Sequence, residues 1–184
     1  MKKTIFITGA AKRIGKEIAL CFSEMGWNII IHYNSSKNDA QVLADEINGN
    51  NPDSAITVQG NLDVKEDVEK VINEVRDAFP TIDLLINNAS TFYPTPIEDI
   101  SEEHWDKLVG SNLKGPLFLI KGLKDKLKES KGSIINITDT NLSKGVANYS
   151  IYSAAKAGLE SITKGLAREP VSYTHLRAHE TSEY

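Results

Sequence analysis

Tyr152 and Lys156 stand four residues apart in Tyr152-Ser-Ala-Ala-Lys156, a spacing that places a phenol and an ammonium on one face of a helix. A free tyrosine holds its proton until about pH 10, and a cation within a few Å favours the phenolate. The expected chemistry is therefore proton donation by Tyr152, with Lys156 lowering its pKa. The same spacing occurs on many solvated helices, so its meaning depends on what else the fold brings to this helix.

A second group lies near the amino end. Thr8-Gly-Ala-Ala-Lys-Arg-Ile-Gly15 follows the apolar run Thr4–Thr8 directly and opens a helical pattern. In that context a glycine-rich turn can cradle a pyrophosphate on free N–H groups and a positive helix end. Gly9, Lys12, Arg13, Ile14 and Gly15 are expected to hold a dinucleotide. About 20 residues on, a carboxylate would bind an adenosine 2′-hydroxyl and repel a 2′-phosphate. Here the segment is His32-Tyr-Asn-Ser-Ser-Lys37, with no acid before Asp39. Tyr33, Asn34, Ser35 and Ser36, together with Lys12 and Arg13, offer hydroxyls, an amide and cations, so NADP(H) is expected over NAD(H). His32 is read as structural or adjacent to the adenosine, not as a base.

The elements that must position these groups alternate. Short apolar runs at Thr4–Thr8, Asn28–Tyr33, Ala55–Gln59, Leu84–Asn87 and Ser133–Thr138 read as buried strands. Helices are expected over Arg13–Met25, Asn38–Ile47, from a capping box at Asp63-Val-Lys-Glu66 through Phe79, over Ser101–Val109, Asn112–Lys128, and across Tyr152 and Lys156 to Glu169. This rhythm predicts an α/β, Rossmann-type doubly wound parallel sheet with helices on both faces, truncated after the sixth main helix. Residues 1–169 form the dinucleotide-binding domain in this reading. Pro170–Tyr184 shows no periodicity and is expected to be an irregular tail, foreign to that domain.

Bulk properties narrow the partners. The 184 residues are 40% hydrophobic and 25% charged with a net charge of −4, which suits one soluble domain and provides no broad basic field for nucleic acid or anionic membrane. The opening residues are too short for a signal-peptide core and no apolar run spans a bilayer, so the cytoplasm is the expected location. The single cysteine, Cys21, falls in a stripe with Ile14, Ile18, Phe22 and Met25 and is expected to pack in the core. No His, Cys and Asp cluster has metal-ligand spacing, and no metal is expected.

In register, these motifs resemble the short-chain dehydrogenase/reductase family: Thr8-Gly-x-x-x-x-Ile-Gly15, Asn87-Asn-Ala89, Asn112 and Tyr152-x-x-x-Lys156. The resemblance covers about Lys2–Glu169. It implies that Asn88 and Ala89 line the adenosine side, that Asn61 and Leu62 meet the adenine where an aspartate is usual, that Asn112, Tyr152 and Lys156 are catalytic, and that Ser90, Tyr152 and Lys156 also contact the cofactor, the lysine holding its ribose. It also implies a homotetramer.

Within the family the chain is most similar to the pteridine reductases. Arg13 replaces the middle glycine of the turn, Ser90 opens a Ser-Thr-Phe-Tyr-Pro-Thr-Pro96 run, and Asp139 stands thirteen residues before Tyr152 where serine is usual. The resemblance implies that Phe92 stacks on a pterin while Arg13, Ser90, Asp139 and Tyr152 contact its edge. Phe92 has a second reading as a loop aromatic anchored in the core, and Asp139 as a strand-end turn residue. Three functions follow: NADPH-dependent reduction of a pterin C=N bond, reduction of a 3-oxoacyl thioester or other carbonyl, or nucleotide binding by an inactive fragment.

Overall fold

The computed structural model describes residues 2–168 and 176–181. Six strands form one sheet in the order β3-β2-β1-β4-β5-β6, and every neighbouring pair is parallel. They are β1 (Thr4–Ile7), β2 (Asn28–Tyr33), β3 (Ala55–Gln59), β4 (Leu84–Asn87), β5 (Ser133–Asp139) and β6 (Leu176–Thr181). The helices are α1 (Arg13–Glu24), α2 (Lys37–Asn50), α3 (Lys65–Ala78), α4 (Glu102–Val109), α5 (Gly115–Glu129) and α6 (Ser150–Leu166).

Parallel strands buried on both faces read as near-continuous apolar runs, as at Ile5–Ile7 of β1 and Ile29–Ile31 of β2. Ile5, Ile7, Ile29 and Ile31 join Ala19, Leu43 and Ile47 of α1 and α2 on one face. Phe6, Ile30 and Leu85 join Val71, Val75, Leu119 and Leu123 of α3 and α5 on the other. Each fully buried side chain of this size contributes roughly 1.5–3 kcal/mol, so the alternation fixes which helix lies on which face. After β3 the chain crosses back to place β4 beside β1. Ligands collect at such a reversal, at the carboxyl ends of the strands.

Four expectations are corrected. The capping box at Asp63 does not form; Asp67 Oδ2 instead accepts from the Asn61 N–H at 2.7 Å, and α3 begins at Lys65. Between α4 and α5 the helix is continued by a π-helical turn at Gly110–Lys114, so Asn112 lies inside that turn and does not start α5. Cys21 is exposed, with Ile14 and Met25 beside it in sequence pattern also exposed, because α1 buries Gly15, Ala19 and Ser23. The expected irregular tail contains β6, which pairs with β5 from Ile134↔Leu176 to Asp139↔Thr181. The rest of Pro170–Tyr184 lies outside the described residues.

Among the described residues no helix is long and apolar enough to cross a membrane, and no group of three or more His, Cys, Asp or Glu side chains could hold a metal ion.

Candidate active site

The carboxyl ends of β1, β2, β3 and β4 open into a cleft of about 540 Å³. Its floor is the turn after β1. Gly9 has φ +62°, and a Cβ there would lie 2.9 Å from the Cα of Ala89. A Cβ on Gly15 would come within 2.5 Å of the Gly9 carbonyl oxygen and 2.8 Å of the Ala10 Cα. Glycine at both positions is thus required by backbone on the far side of the contact. Arg13 occupies φ +51°, the left-handed region that a middle glycine would adopt without strain; for an L-residue this costs roughly 1–2 kcal/mol.

The β4 end is fastened to this turn. The Thr8 hydroxyl oxygen accepts from the Asn88 and Ala89 N–H groups, each at 2.9 Å, and the Asn88 amide donates to the Thr8 and Gly9 carbonyls at 2.8 and 3.1 Å. On the other side, His32 is 2% exposed. Its Nδ1 accepts from the Gly9 N–H at 3.1 Å, which leaves the proton on Nε2 to reach the Gly60 carbonyl at 3.0 Å. Burial lowers its pKa to about 4, against the Gly60 bond, so the ring is neutral.

Lys12, Arg13, Ile14, Asn34, Asn61, Leu62 and Ser90 also line the cleft, as expected from the sequence. Tyr33, Ser35 and Ser36 do not. Tyr33 is buried in the core beneath it, and Ser35 and Ser36 lead into α2. Lys12 pairs with Asp39 at 3.0 Å, so the first acid after β2 reaches back to the turn. Both partners are half-exposed, and such a pair is worth about 0–1 kcal/mol; an incoming phosphate can displace it. Three lining residues were missed: Asp63, Thr91 and Ser111. Thr91 and Ser111 adjoin Ser90 and Asn112, and that adjacency was the available signal. Burial pushes the Asp63 carboxyl up, against a bond with Asn61 and the Lys107 cation.

The second group lies on β5 and α6. Tyr152 donates its phenolic O–H to Asp139 Oδ2 at 3.0 Å, and Asp139 Oδ1 accepts from the Asn141 N–H at 2.8 Å. Asp139 therefore makes the strand-end turn and engages the phenol at once. Lys156 is 2% exposed and donates to the Ile137 carbonyl at 2.9 Å. Its Nζ sits 5.9 Å from the centre of the Tyr152 ring.

Here the electrostatics correct the sequence expectation. Burial, and then the hydrogen bond and charge of Asp139, push the Tyr152 pKa up, opposed only by a bond with Ser90. A neighbouring carboxylate stabilises the protonated phenol, and Lys156 is turned to the backbone. Burial lowers the Lys156 pKa to about 8, while Asp139 raises it. Tyr152 thus holds a proton aimed at a carboxylate.

Asn112 does not reach this pair with its side chain. Its amide nitrogen donates to the Thr91 and Leu108 carbonyls at 2.8 and 2.9 Å, and its Oδ1 accepts from the Ser90 hydroxyl at 2.7 Å. Ser90 links Asn112 to the Tyr152 hydroxyl, since it bonds the latter as well. Phe92 is 52% exposed and so is not anchored in the core. It stacks on Tyr149 at 4.5 Å with 14° between planes and meets the Tyr152 ring edge-on at 4.8 Å. Tyr149, one helical turn before Tyr152, was also missed.

Comparison with known proteins agrees with this geometry. Residues 3–178 match the short chain dehydrogenase family model. The chain is 34% identical to a 3-oxoacyl-[acyl-carrier-protein] reductase, FabG, of Staphylococcus epidermidis, over 94% of this chain and 70% of that protein. It is 32% identical to pteridine reductase 1 of Leishmania tarentolae, over 90% and 71%. A 3-oxoacyl-[acyl-carrier-protein] reductase of Synechocystis is 35% identical over 90% and 67%. A glycine-bound cleft at the sheet reversal and a tyrosine–lysine helix beside it therefore sit on a matched family frame, and the chain belongs to the short chain dehydrogenase family of oxidoreductases.

Proposed function

We propose that this chain uses NADPH to reduce a C=N bond of a pterin, with Tyr152 and Asp139 delivering the proton. One observation carries the choice of substrate class: the Tyr152 hydroxyl lies 3.0 Å from a carboxylate, Asp139. A carbonyl needs one proton on one oxygen, and a hydroxyl beside the tyrosine suffices to orient it. In either reduction the tyrosine must regain its proton; a serine here could only hydrogen-bond the substrate, whereas a carboxyl group can take a proton from water and relay it through Tyr152 to a ring nitrogen.

The cleft suits a dinucleotide phosphate. Gly9 and Gly15 let the turn close tightly on Ala89 and on the Gly9 carbonyl, where any Cβ would clash, and Lys12 and Arg13 border the cleft. When bound, the reduced nicotinamide supplies hydride to the ring carbon. Tyr152 gives its proton to the adjacent nitrogen and recovers one from Asp139. Lys156, charged below about pH 8, holds α6 against Ile137 and presents an ammonium for a ribose hydroxyl. Phe92, which packs on the Tyr149 and Tyr152 rings, is the aromatic group for the pterin in this reading; aromatic contacts of this kind are worth about 0.5–1.5 kcal/mol beyond buried area. The expected partner is a small molecule, acting on a soluble chain whose cytoplasmic location and tetrameric state belong to the same proposal.

A second reading is reduction of a 3-oxoacyl thioester, favoured by the likeness to two proteins of that name. NADPH oxidation measured with dihydrobiopterin and dihydrofolate against an acetoacetyl thioester separates the two. Turnover with the thioester alone defeats the pterin reading. If no substrate is turned over while NADPH still raises the melting temperature, the chain is a nucleotide-binding protein without activity.

A further inference from the structure

Of the four strand ends that form the dinucleotide cleft, one buried side chain ties three together. His32 is the penultimate residue of β2, which lies between β1 and β3 in the sheet. Its ring accepts from the Gly9 N–H on one side and donates to the Gly60 carbonyl on the other. Its own carbonyl accepts from the Ala10 N–H at 2.9 Å. The Gly60 N–H donates to the next carbonyl, Tyr33, at 3.1 Å. The Phe6 ring meets the imidazole edge-on at 6.4 Å, which holds it from below.

Both ring nitrogens are consumed in this way, so neither is left to bind a nucleotide. We propose that His32 is a positioning residue: it sets the separation of the phosphate turn at Gly9 from the adenine wall at Gly60-Asn61-Leu62, and thereby the affinity for the dinucleotide. The bond to Gly9 matters more than the bond to Gly60. Gly9 has a left-handed φ of +62°; the Asn88 amide and the Ala10 N–H hold the turn on either side of it, and His32 accepts the Gly9 N–H itself, whereas Gly60 is already tied to β2 through its N–H. With the Gly9 N–H held by a fixed acceptor, the turn keeps the shape that presents its remaining free N–H groups to the pyrophosphate, and preorganisation of this kind lowers the cost of binding.

The imidazole can be dissected because each nitrogen has an amide mimic. His32→Asn places an oxygen near Nδ1 and keeps the acceptor for Gly9; His32→Gln places an amide near Nε2 and keeps the donor for Gly60. The inference rests on the dinucleotide part of the proposed function, and the readouts are NADPH affinity by calorimetry and amide hydrogen exchange at Gly9 in the free protein. For His32→Gln, NADPH affinity should fall by at least 10-fold and Gly9 exchange should quicken by at least 10-fold. His32→Asn should stay within about 3-fold of the parent in both. Equal affinities for the Gln variant and the parent, or an Asn variant as weak as the Gln one, would overturn the inference. If the parent binds no NADPH, the cofactor reading fails; Gly9 exchange then decides alone, and equal rates in the parent and His32→Gln sink the positioning role.

Discussion

The two halves of the site are held by different means. At the ends of β1 to β4, the contacts are made to backbone: Gly9 packs against Ala89, Gly15 against the Gly9 carbonyl, and the Thr8, Asn88 and His32 side chains bond main-chain groups of the neighbouring loops. At β5 and α6, side chains do the holding. Tyr152 reaches Asp139, Lys156 reaches the Ile137 carbonyl, and Thr163 accepts from Asn136 at 2.8 Å, which in turn accepts from Asn87 at 2.7 Å. Backbone geometry tolerates no added atom but carries no charge to tune. Side-chain contacts can be exchanged singly, and each exchange changes the chemistry.

Substitutions should therefore separate the halves. Tyr152→Phe removes the proton donor and leaves the cleft intact, so turnover should drop about 10²–10⁴-fold with NADPH affinity unchanged. Steady-state kinetics and calorimetry on one preparation check both. A matching loss of NADPH affinity would join the halves and break the comparison.

The next largest effect comes from acid. Above about pH 6.5 His32 is neutral in the folded and the unfolded chain and adds no pH dependence. Between 6.5 and about 4 the unfolded chain takes up a proton that the buried ring refuses, so stability falls as pH falls. The loss sums to about 3 kcal/mol. Denaturant unfolding across this range should show that decline, and His32→Asn should flatten it. A parent protein with no decline between pH 6.5 and 4 would mean that the imidazole is not held neutral.

A smaller effect is expected of Gly15→Ala. Its Cβ would meet the Gly9 carbonyl and the Ala10 backbone, and overpacking against backbone costs about 1–3 kcal/mol. The melting temperature should fall, and its rise on adding NADPH should disappear. A full NADPH shift in this variant would show that the turn can open without loss of the site.

The same division explains what the sequence could and could not reveal. Strands Asn28–Tyr33, Ala55–Gln59 and Leu84–Asn87 were read with the bounds they have, because each is a short run dominated by apolar residues and bounded by polar, turn-forming ones. The phosphate turn was also readable, since its glycines act on neighbours close in sequence. Asp63 misled because Asp67, one helical turn later, captured the Asn61 N–H first. Cys21 misled because α1 lies on the sheet through Gly15, Ala19 and Ser23, with Ile18, Leu20 and Phe22 partly buried along its flanks and Cys21 turned outward. The acidity of Tyr152 was read with the wrong sign. Spacing along α6 put Lys156 near the phenol, but the nearer partner came from β5, thirteen residues away, and the lysine found a carbonyl. The π-helical turn around Asn112 has no periodic signature, and its consequence, an amide that serves Ser90, depends on a loop 22 residues distant.

The account stands most directly on the carboxyl group beside the phenol. Dihydrobiopterin reduction by Asp139→Ser, measured with NADPH affinity in the same samples, tests it. Turnover should fall by about 10²-fold or more while NADPH binds as before. Pterin turnover equal to that of the parent would contradict it and leave Asp139 as a residue of the turn after β5.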